Sequence, residues 1–444
     1  MRHRPLLLLV PVAAILLAAC GSSTTATTTT PASSGGRGWI GGEPDFDEGS
    51  AGGGAMADSA TREAAGAATT PAAPAPDVAP VQTAMRAGSV DDNADLAGYL
   101  DSLTRYDQLG LPSRTVDATG RIVVTATGAN GLPAMGVPVT VAAGDAPVAA
   151  LRTGVDGRVI FLPATFGDVR PSYHVSIDGA AGDAAPGTDV TLTSPADGGA
   201  AAGVPVDVLF LLDVTGSMGD EIDQLKTTIG DVADQLRDLP QHPDIRFGMT
   251  LFRDEGDAFV TSTFDLTGDI EAFQAALAQV EAGGGGDTPE AVDEAFAAAL
   301  DEPSWRDPAS TAEFVFLVGD AAPHVERAVQ QPYPESIKVA QSRGITVHAI
   351  AASSTDDAAE HAFRAIAQGT GGRFVFLAYG AGGAAVGEHT DITPTDYEEM
   401  SLDALVVRLV AESLANLTGT DVAPPPTLTP TTIPRPNDQQ QPTG

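Results

Sequence analysis

The chain has 444 residues, with 23 basic side chains against 59 acidic ones, a formal net charge of −36, one cysteine and 5% aromatic residues. A nucleic-acid partner is excluded by the absence of a basic stripe, since only Lys226 and Lys338 supply ammonium groups and phosphate binding needs clustered cations. Internal disulfides and cysteine-based zinc or iron–sulfur centres are excluded by the single Cys20. The same acidity opposes adsorption to an anionic membrane surface, so membrane attachment has to come from an apolar or covalent anchor.

Arg2 and Arg4 precede an apolar run from Leu6 to Ala19. That run is shorter than the roughly 20 residues needed to span a bilayer, and its basic and apolar regions have the order of an export signal. It ends in Leu17-Ala18-Ala19-Cys20-Gly21. This resembles the lipobox of bacterial lipoproteins, which implies removal of residues 1–19 and lipidation of Cys20. The resemblance places the chain on the extracytoplasmic face of the cell membrane, held by an N-terminal lipid. An ordinary signal peptide is the plainer alternative.

Residues 20–90 are rich in Thr, Ser, Gly, Ala and Pro and show no sustained hydrophobic period. Such a stretch buries too little apolar surface to offset its ordering entropy, and it reads as a disordered tether. The acidic Asp45, Asp47 and Glu48 within it lack the ligand pattern of a calcium loop. A short helix is expected over Asp91–Tyr106, from Leu96, Leu100 and Leu103. Short β-rich runs follow at Ile122–Thr125, Val137–Val141, Val148–Leu151, Val159–Leu162, Tyr173–Ile177 and Val190–Leu192. Turn residues separate them, including the hairpin signal Asp156-Gly157. Together, 91–200 reads as a helix plus a small all-β sandwich. It resembles bacterial immunoglobulin-like modules, on Gly131-Leu132-Pro133, Gly136-Val137-Pro138-Val139 and Asp156-Gly157-Arg158, and is expected to act as a spacer.

Over 204–419 apolar strands alternate with amphipathic helices. Val206–Leu212 is almost wholly apolar, as a strand covered on both faces must be. Ile222, Leu225, Ile229, Val232 and Leu236 fall on one helical face. Strands are expected at Ile245–Phe252, Phe259–Phe264, Phe314–Val318, Ile345–Ile350 and Phe374–Leu377. Helices are expected from Ile270 to Val280, from Pro289 onward, and over Glu335–Ser342, Asp356–Ala367 and Leu402–Leu417. The fold class is therefore α/β, a doubly wound and mostly parallel sheet, preceded by the sandwich and tether. Residues 420–444 read as a disordered Pro/Thr-rich tail.

Three short segments carry the chemistry. Asp213-Val214-Thr215-Gly216-Ser217 follows the first strand of this region, Gly286-Asp287-Thr288-Pro289-Glu290 precedes a helix, and Gly319-Asp320 follows a later strand. In open α/β sheets the loops at the carboxyl ends of strands converge on one crevice. Two carboxylates and three hydroxyls make a hard-oxygen set suited to Mg²⁺, Mn²⁺ or Ca²⁺ and unsuited to zinc. This pattern resembles the von Willebrand factor type A (VWA) family. Its metal-ion-dependent adhesion site has the form Asp-x-Ser-x-Ser, then a distant Thr and a distant Asp. The resemblance assigns a divalent cation, Mg²⁺ first, to Asp213, Thr215, Ser217, Thr288 and Asp320, with Thr215 standing where serine is usual. It implies a protein partner that supplies an acidic side chain, and neither catalysis nor a small-molecule substrate.

Two other readings remain open at this level. Thr215-Gly216-Ser217-Met218-Gly219 approaches the nucleophile elbow of serine hydrolases, with Ser217 as nucleophile and His348 or His361 as base. Alternatively the five residues are ordinary helix caps in a passive structural lipoprotein whose site is vestigial. His324, near Asp320, is expected to be a hydrogen-bonded histidine rather than a ligand.

Overall fold

The computed structural model describes residues 85–286, 288–352, 355–378 and 398–420. Cys20, most of the expected tether, Asp287 and the expected tail lie outside the described residues.

Strand β1 (Arg86–Val90) and helix α1 (Leu96–Leu109) open the described chain. Seven short strands follow: β2 (Ile122–Thr127), β3 (Pro138–Ala143), β4 (Ala146–Arg152), β5 (Arg158–Phe161), β6 (Tyr173–Ile177), β7 (Ala180–Ala184) and β8 (Val190–Thr193). They form two sheets, β5-β2-β8 and β4-β3-β6-β7. Inward residues of both sheets, such as Val124, Val141, Phe161, Tyr173 and Leu192, share one core. The period-2 burial of β2 is what a half-covered strand dictates.

The α/β region begins with β9 (Pro205–Asp213), a 3₁₀ turn at Gly216–Met218 and α2 (Gly219–Arg237). It continues through β10 (Asp244–Phe252), β11 (Thr261–Thr267), α3 (Ile270–Leu277), α4 (Val292–Asp301) and β12 (Ala312–Gly319). It closes with α5 (Tyr333–Arg343), β13 (Thr346–Ala351), α6 (Asp357–Gly369), β14 (Phe374–Ala378), β15 (Glu398–Ser401) and α7 (Leu402–Thr418). The sheet order is β11-β10-β9-β12-β13-β14-β1-β15. The five strands from β10 to β14 are parallel, while β11, β1 and β15 pair antiparallel.

Alternation along β9 shows why the sheet needs two helical layers. Val206, Val208, Phe210 and Leu212 enter the core shared with α2, α3 and α7. Leu209 and Leu211 enter the core shared with α1, α4, α5 and α6. Chain order reverses at β9, because β10 lies on one side of it and β12 on the other. The carboxyl ends of β9 and β12 therefore flank a switch point. The sandwich docks at the other end of the strands. There Gly136, at φ +71°, lies so close to the loop before β12 that a Cβ would meet Pro308 O at 2.6 Å, which only glycine tolerates. Ala200 N–H donates to Leu417 O of α7 at 3.2 Å.

Several expectations are corrected. The segment Arg86–Val90, read as tether, is a strand inside the eight-stranded sheet; Ala87 is its only fully buried apolar side chain, too little to make a pattern. The first helix starts at Leu96 rather than Asp91. Asp91 Oδ1 accepts from Asn93 and Ala94 N–H and makes a turn, and Asp95 caps the helix through Gly98 N–H. That helix belongs to the α/β core, where buried Tyr99 packs, and not to the sandwich. The helix expected from Pro289 starts at Val292, because Glu290 is still extended, bonding Ala322 O and bridging to Pro323. Strands β7 and β15 were not expected at all; AAGDA and EEMS carry no β-rich run.

A buried ion pair fastens the segment before α1 to α6. Arg364 Nε and Nη2 donate to the two oxygens of Asp92 at 2.9 and 2.6 Å, and Nη1 donates to Glu360 at 3.1 Å. Both partners are almost fully buried. Removing one member of such a pair strands the other in low dielectric. Arg364→Ala is expected to lower unfolding free energy by about 3–5 kcal/mol, read as an earlier urea midpoint. A loss under about 1 kcal/mol would show that the pair does not hold this segment in place.

Candidate metal centre

Each strand delivers its side chain by ending where it does. Asp213 is the last residue of β9 and Asp320 the first after β12. Between them Gly319 leaves room: a Cβ there would stand 3.2 Å from Asp213 Cβ and 3.3 Å from Asp213 Oδ2. Asp213 Oδ1 accepts from Thr215 N–H at 2.9 Å and from Thr215 Oγ1 at 2.7 Å. Thr215 Oγ1 lies 3.1 Å from Ser217 Oγ. Asp213, Thr215 and Ser217 are thus drawn into one cluster, with Asp213 and Thr215 fully buried and Ser217 exposed.

The other oxygen, Asp213 Oδ2, is buried and makes no hydrogen bond. Burial pushes the Asp213 carboxyl up to about 7; the Thr215 donors oppose that shift and the nearby Asp320 charge adds to it. Asp320 itself is 6% exposed. An anionic pair buried this deeply, with an oxygen left bare, is chemically suited to a cation.

Thr288 stands apart from that cluster. It is exposed, and no hydrogen bond among the described residues joins it to the other four. Its loop nevertheless lies over them. Gly283 N–H donates to Val214 O, and Gly216 N–H donates to Gly284 O at 2.9 Å. At Gly285, φ +61°, a Cβ would stand 2.7 Å from Glu290 Oε1 and 2.8 Å from Thr215 Cβ. The glycine run is therefore a close-approach requirement, and it packs Gly285 between Glu290 and Thr215 of the cluster.

Glu290 is the residue that sequence reasoning passed over, having taken it for helix-start chemistry. It is 2% exposed, and its Oε2 has no hydrogen-bond partner. Burial raises its carboxyl to about 8, and the charges of Asp213, Asp254, Asp257 and Asp320 reinforce the shift. Asp257 Oδ2 accepts from Gly285 N–H at 2.8 Å and so holds the glycine loop. Asp254 receives His324 Nε2 at 2.9 Å, and His324 Nδ1 meets Glu326. His324 is hydrogen-bonded on both nitrogens, as expected, and ties the Asp320 loop to the loop after β10. Acidic residues after a strand, in Arg253-Asp254-Glu255-Gly256-Asp257, were the available signal. No three His, Cys, Asp or Glu among the described residues form a metal-holding group by themselves, so any cation here needs the hydroxyls.

The hydrolase arrangement is not assembled. Ser217 Oγ is bonded to Thr215, whereas His348 and His361 lie buried elsewhere. His348 Nδ1 accepts from Arg373 N–H, and His361 packs edge-on against Tyr106.

The crowded carboxylates make a pH prediction for metal-free protein. A carboxyl whose folded pKa is raised stabilises the fold below its unfolded pKa. That contribution is lost as pH rises through the folded value, here about 8 for Glu290. In chelator, Glu290→Gln is expected to melt a few degrees above the parent near pH 8, and the difference should vanish near pH 5. Equal melting temperatures at both pH values would show that Glu290 is not held against the other carboxylates.

Comparison with known proteins bears on the α/β region. Residues 207–379 match the family model described as von Willebrand factor type A domain. The alpha-protein kinase vwkA of Dictyostelium discoideum is 36% identical over 88 residues, 20% of this chain and 14% of that protein. The human von Willebrand factor A domain-containing protein 7 is 37% identical over 81 residues, 18% of this chain and 8% of that protein. The chain thus spans a small fraction of either relative. Among solved structures, proximal thread matrix protein 1 from the mussel byssus, described with a zinc-occupied MIDAS motif, is 15% identical. It has a TM-score of 0.31, with 38% of this chain and 40% of that chain covered. The pilus adhesin SpaC from Lactobacillus rhamnosus GG is 11% identical with a TM-score of 0.34, covering 56% and 33% respectively. The parallel sheet, its helical layers and the family match together show that residues 207–379 form a von Willebrand factor type A domain.

Proposed function

We propose that this chain is an extracytoplasmic binding protein that grips a protein partner through a divalent cation, with Cys20 lipidated and anchoring it to the cell membrane. Adhesion or assembly of a surface complex is the role this implies. Asp213, Thr215, Ser217, Thr288 and Asp320 hold the cation, some directly and some through water. Mg²⁺ suits this all-oxygen set, and Mn²⁺ or Ca²⁺ are close substitutes. The observation that carries the reading is Asp213. One of its oxygens is satisfied by Thr215, and the other is buried and bare beside a second buried aspartate.

A cation held by two carboxylates, hydroxyls and water keeps an exchangeable coordination position, and an acidic side chain of the partner can complete its shell. The protein's own residues set the specificity. Thr215 fixes the Asp213 rotamer, the glycine run packs against Thr215, and the His324–Asp254 bond holds the Asp320 loop. In a chain of net charge −36, an acidic partner meets general repulsion, which a bound cation offsets locally.

Thermal melts of the full chain in chelator, then in Mg²⁺, Mn²⁺ and Ca²⁺, test the site. Metal at ten times its dissociation constant adds about 1.4 kcal/mol, a rise of a few degrees. Asp213→Ala should remove that rise while leaving a cooperative transition. No rise at millimolar metal sinks the reading. For the anchor, Cys20→Ala should move the protein from the membrane fraction to the soluble fraction, and an unchanged distribution would exclude lipid attachment.

A further inference from the structure

At the pole opposite Asp213 a cavity of about 350 Å³ lies between the sandwich, the amino ends of the parallel strands and α7. That volume falls within the range of roughly 300–1,000 Å³ typical of small-molecule sites. Its charge pattern departs from the rest of the chain. Four of the chain's few basic residues line it: Arg121, Arg152, Arg158 and Arg373.

Elsewhere several half-buried and buried arginines are matched to carboxylates. Arg364 is bidentate with Asp92, and Arg246 with Asp207. Around the cavity they are not. Arg121 donates to Asn93 O and Oδ1, and Arg152 donates to Gly136 O. The Arg158 guanidinium has no hydrogen-bond or ion-pair partner among the described residues, although the Asp156 charge attracts it. Arg373 pairs with Asp91 at 3.4 Å, and Asp189 and Asp91 attract Arg121 without bonding it.

The acids lining the cavity are already engaged. Asp91 accepts from Asn93 and Ala94 N–H, Asp156 from Arg158 N–H, Asp189 from Val123 N–H, and Glu412 from Arg408. What remains unmet is donor capacity. His348 adds to it from the cavity wall. It is 5% exposed, its Nδ1 accepts from Arg373 N–H, and its Nε2 therefore carries the proton and has no acceptor. Burial and the Arg373 charge push this imidazole down to about 3, so it stays neutral and keeps that tautomer. Gln341 Oε1, also buried and lining the cavity, lacks a donor.

We propose that this cavity is a binding site for a small oxyanion, a carboxylate or a phosphoryl group, held by Arg121, Arg158 and Arg373 with His348 Nε2–H as a neutral donor. Guanidinium groups suit planar and tetrahedral oxyanions because their forked donors are pre-arranged. The free Gln341 acceptor favours a ligand that also carries a hydroxyl. Arg121 and Arg158 come from the sandwich, whereas Arg373 and His348 come from the VWA domain. The ligand would therefore span the two modules, which gives the sandwich a recognition role instead of that of a spacer. The proposal is independent of the metal site.

Calorimetric titration of the full chain in chelator, at fixed ionic strength, tests it with citrate and with inorganic phosphate. Binding of citrate alone identifies a carboxylate ligand and binding of phosphate alone a phosphoryl one. Either supports the site if Arg158→Gln weakens it about tenfold, the loss expected for one charge-assisted contact. Arg158 is exposed and unpartnered, so this variant keeps its fold. Asp213→Ala should bind as the parent does. Failure of both anions to bind by about 10 mM, or affinity unchanged in Arg158→Gln, overturns the proposal.

Discussion

Like charges buried together are the constraint on which this molecule turns. Asp213, Asp320 and Glu290 are each nearly inaccessible to water, and Asp254 and Asp257 repel Glu290 from the neighbouring loop. No arrangement of water screens such a group well. The surrounding structure can be understood as what keeps the carboxylates there. Parallel strands terminate at the switch point, glycines let the loops approach, and backbone donors and His324 hold the rim. A cation placed among these carboxylates would offset their mutual repulsion and stabilise the fold.

The sequence discloses the sheet because burial on both faces demands it. Val206–Leu212 has no solvent face to encode, so it reads as one apolar run, and the helices that cover it repeat at three and four. The clustering of Asp213, Thr215 and Ser217, with Asp320 beside them, was readable for a related reason: these residues follow legible strand ends, whereas Thr288, expected at a helix start, stands apart from them. What was hidden is tertiary. Arg86–Val90 contributes one fully buried apolar residue and takes its strand conformation from neighbours on both sides. α1 has a helical period but no label saying whose core receives Tyr99. Pro289 looks like a helix start, until Glu290 is seen paired with the segment after β12. Glu290 and the Asp254–Asp257 loop lie far apart in the chain, and their convergence depends on sheet order, which no local pattern carries.

Charge is divided between the two ends of the molecule. Carboxylates crowd the carboxyl ends of the strands, and Arg121, Arg152, Arg158 and Arg373 gather near the amino ends. The cation and the oxyanion proposed above would thus sit at opposite poles. The sandwich, docked on one pole through Gly136 and Leu417, leaves the other uncovered.

Strand β1 sits between β14 and β15 and runs antiparallel to β14, with Arg86 opposite Ala378. Its amino end therefore emerges at the same pole as Asp213. Tension applied through the chain before Met85 acts along β1 and loads both flanking ladders in shear, so that their hydrogen bonds must yield together instead of opening one at a time. A partner gripped at Asp213 would pull from that same pole, so the line of force runs from the cation through the sheet into β1 and bypasses the sandwich. The VWA domain would thereby be loaded through a strand that is braced by a hydrogen-bonded neighbour on each side.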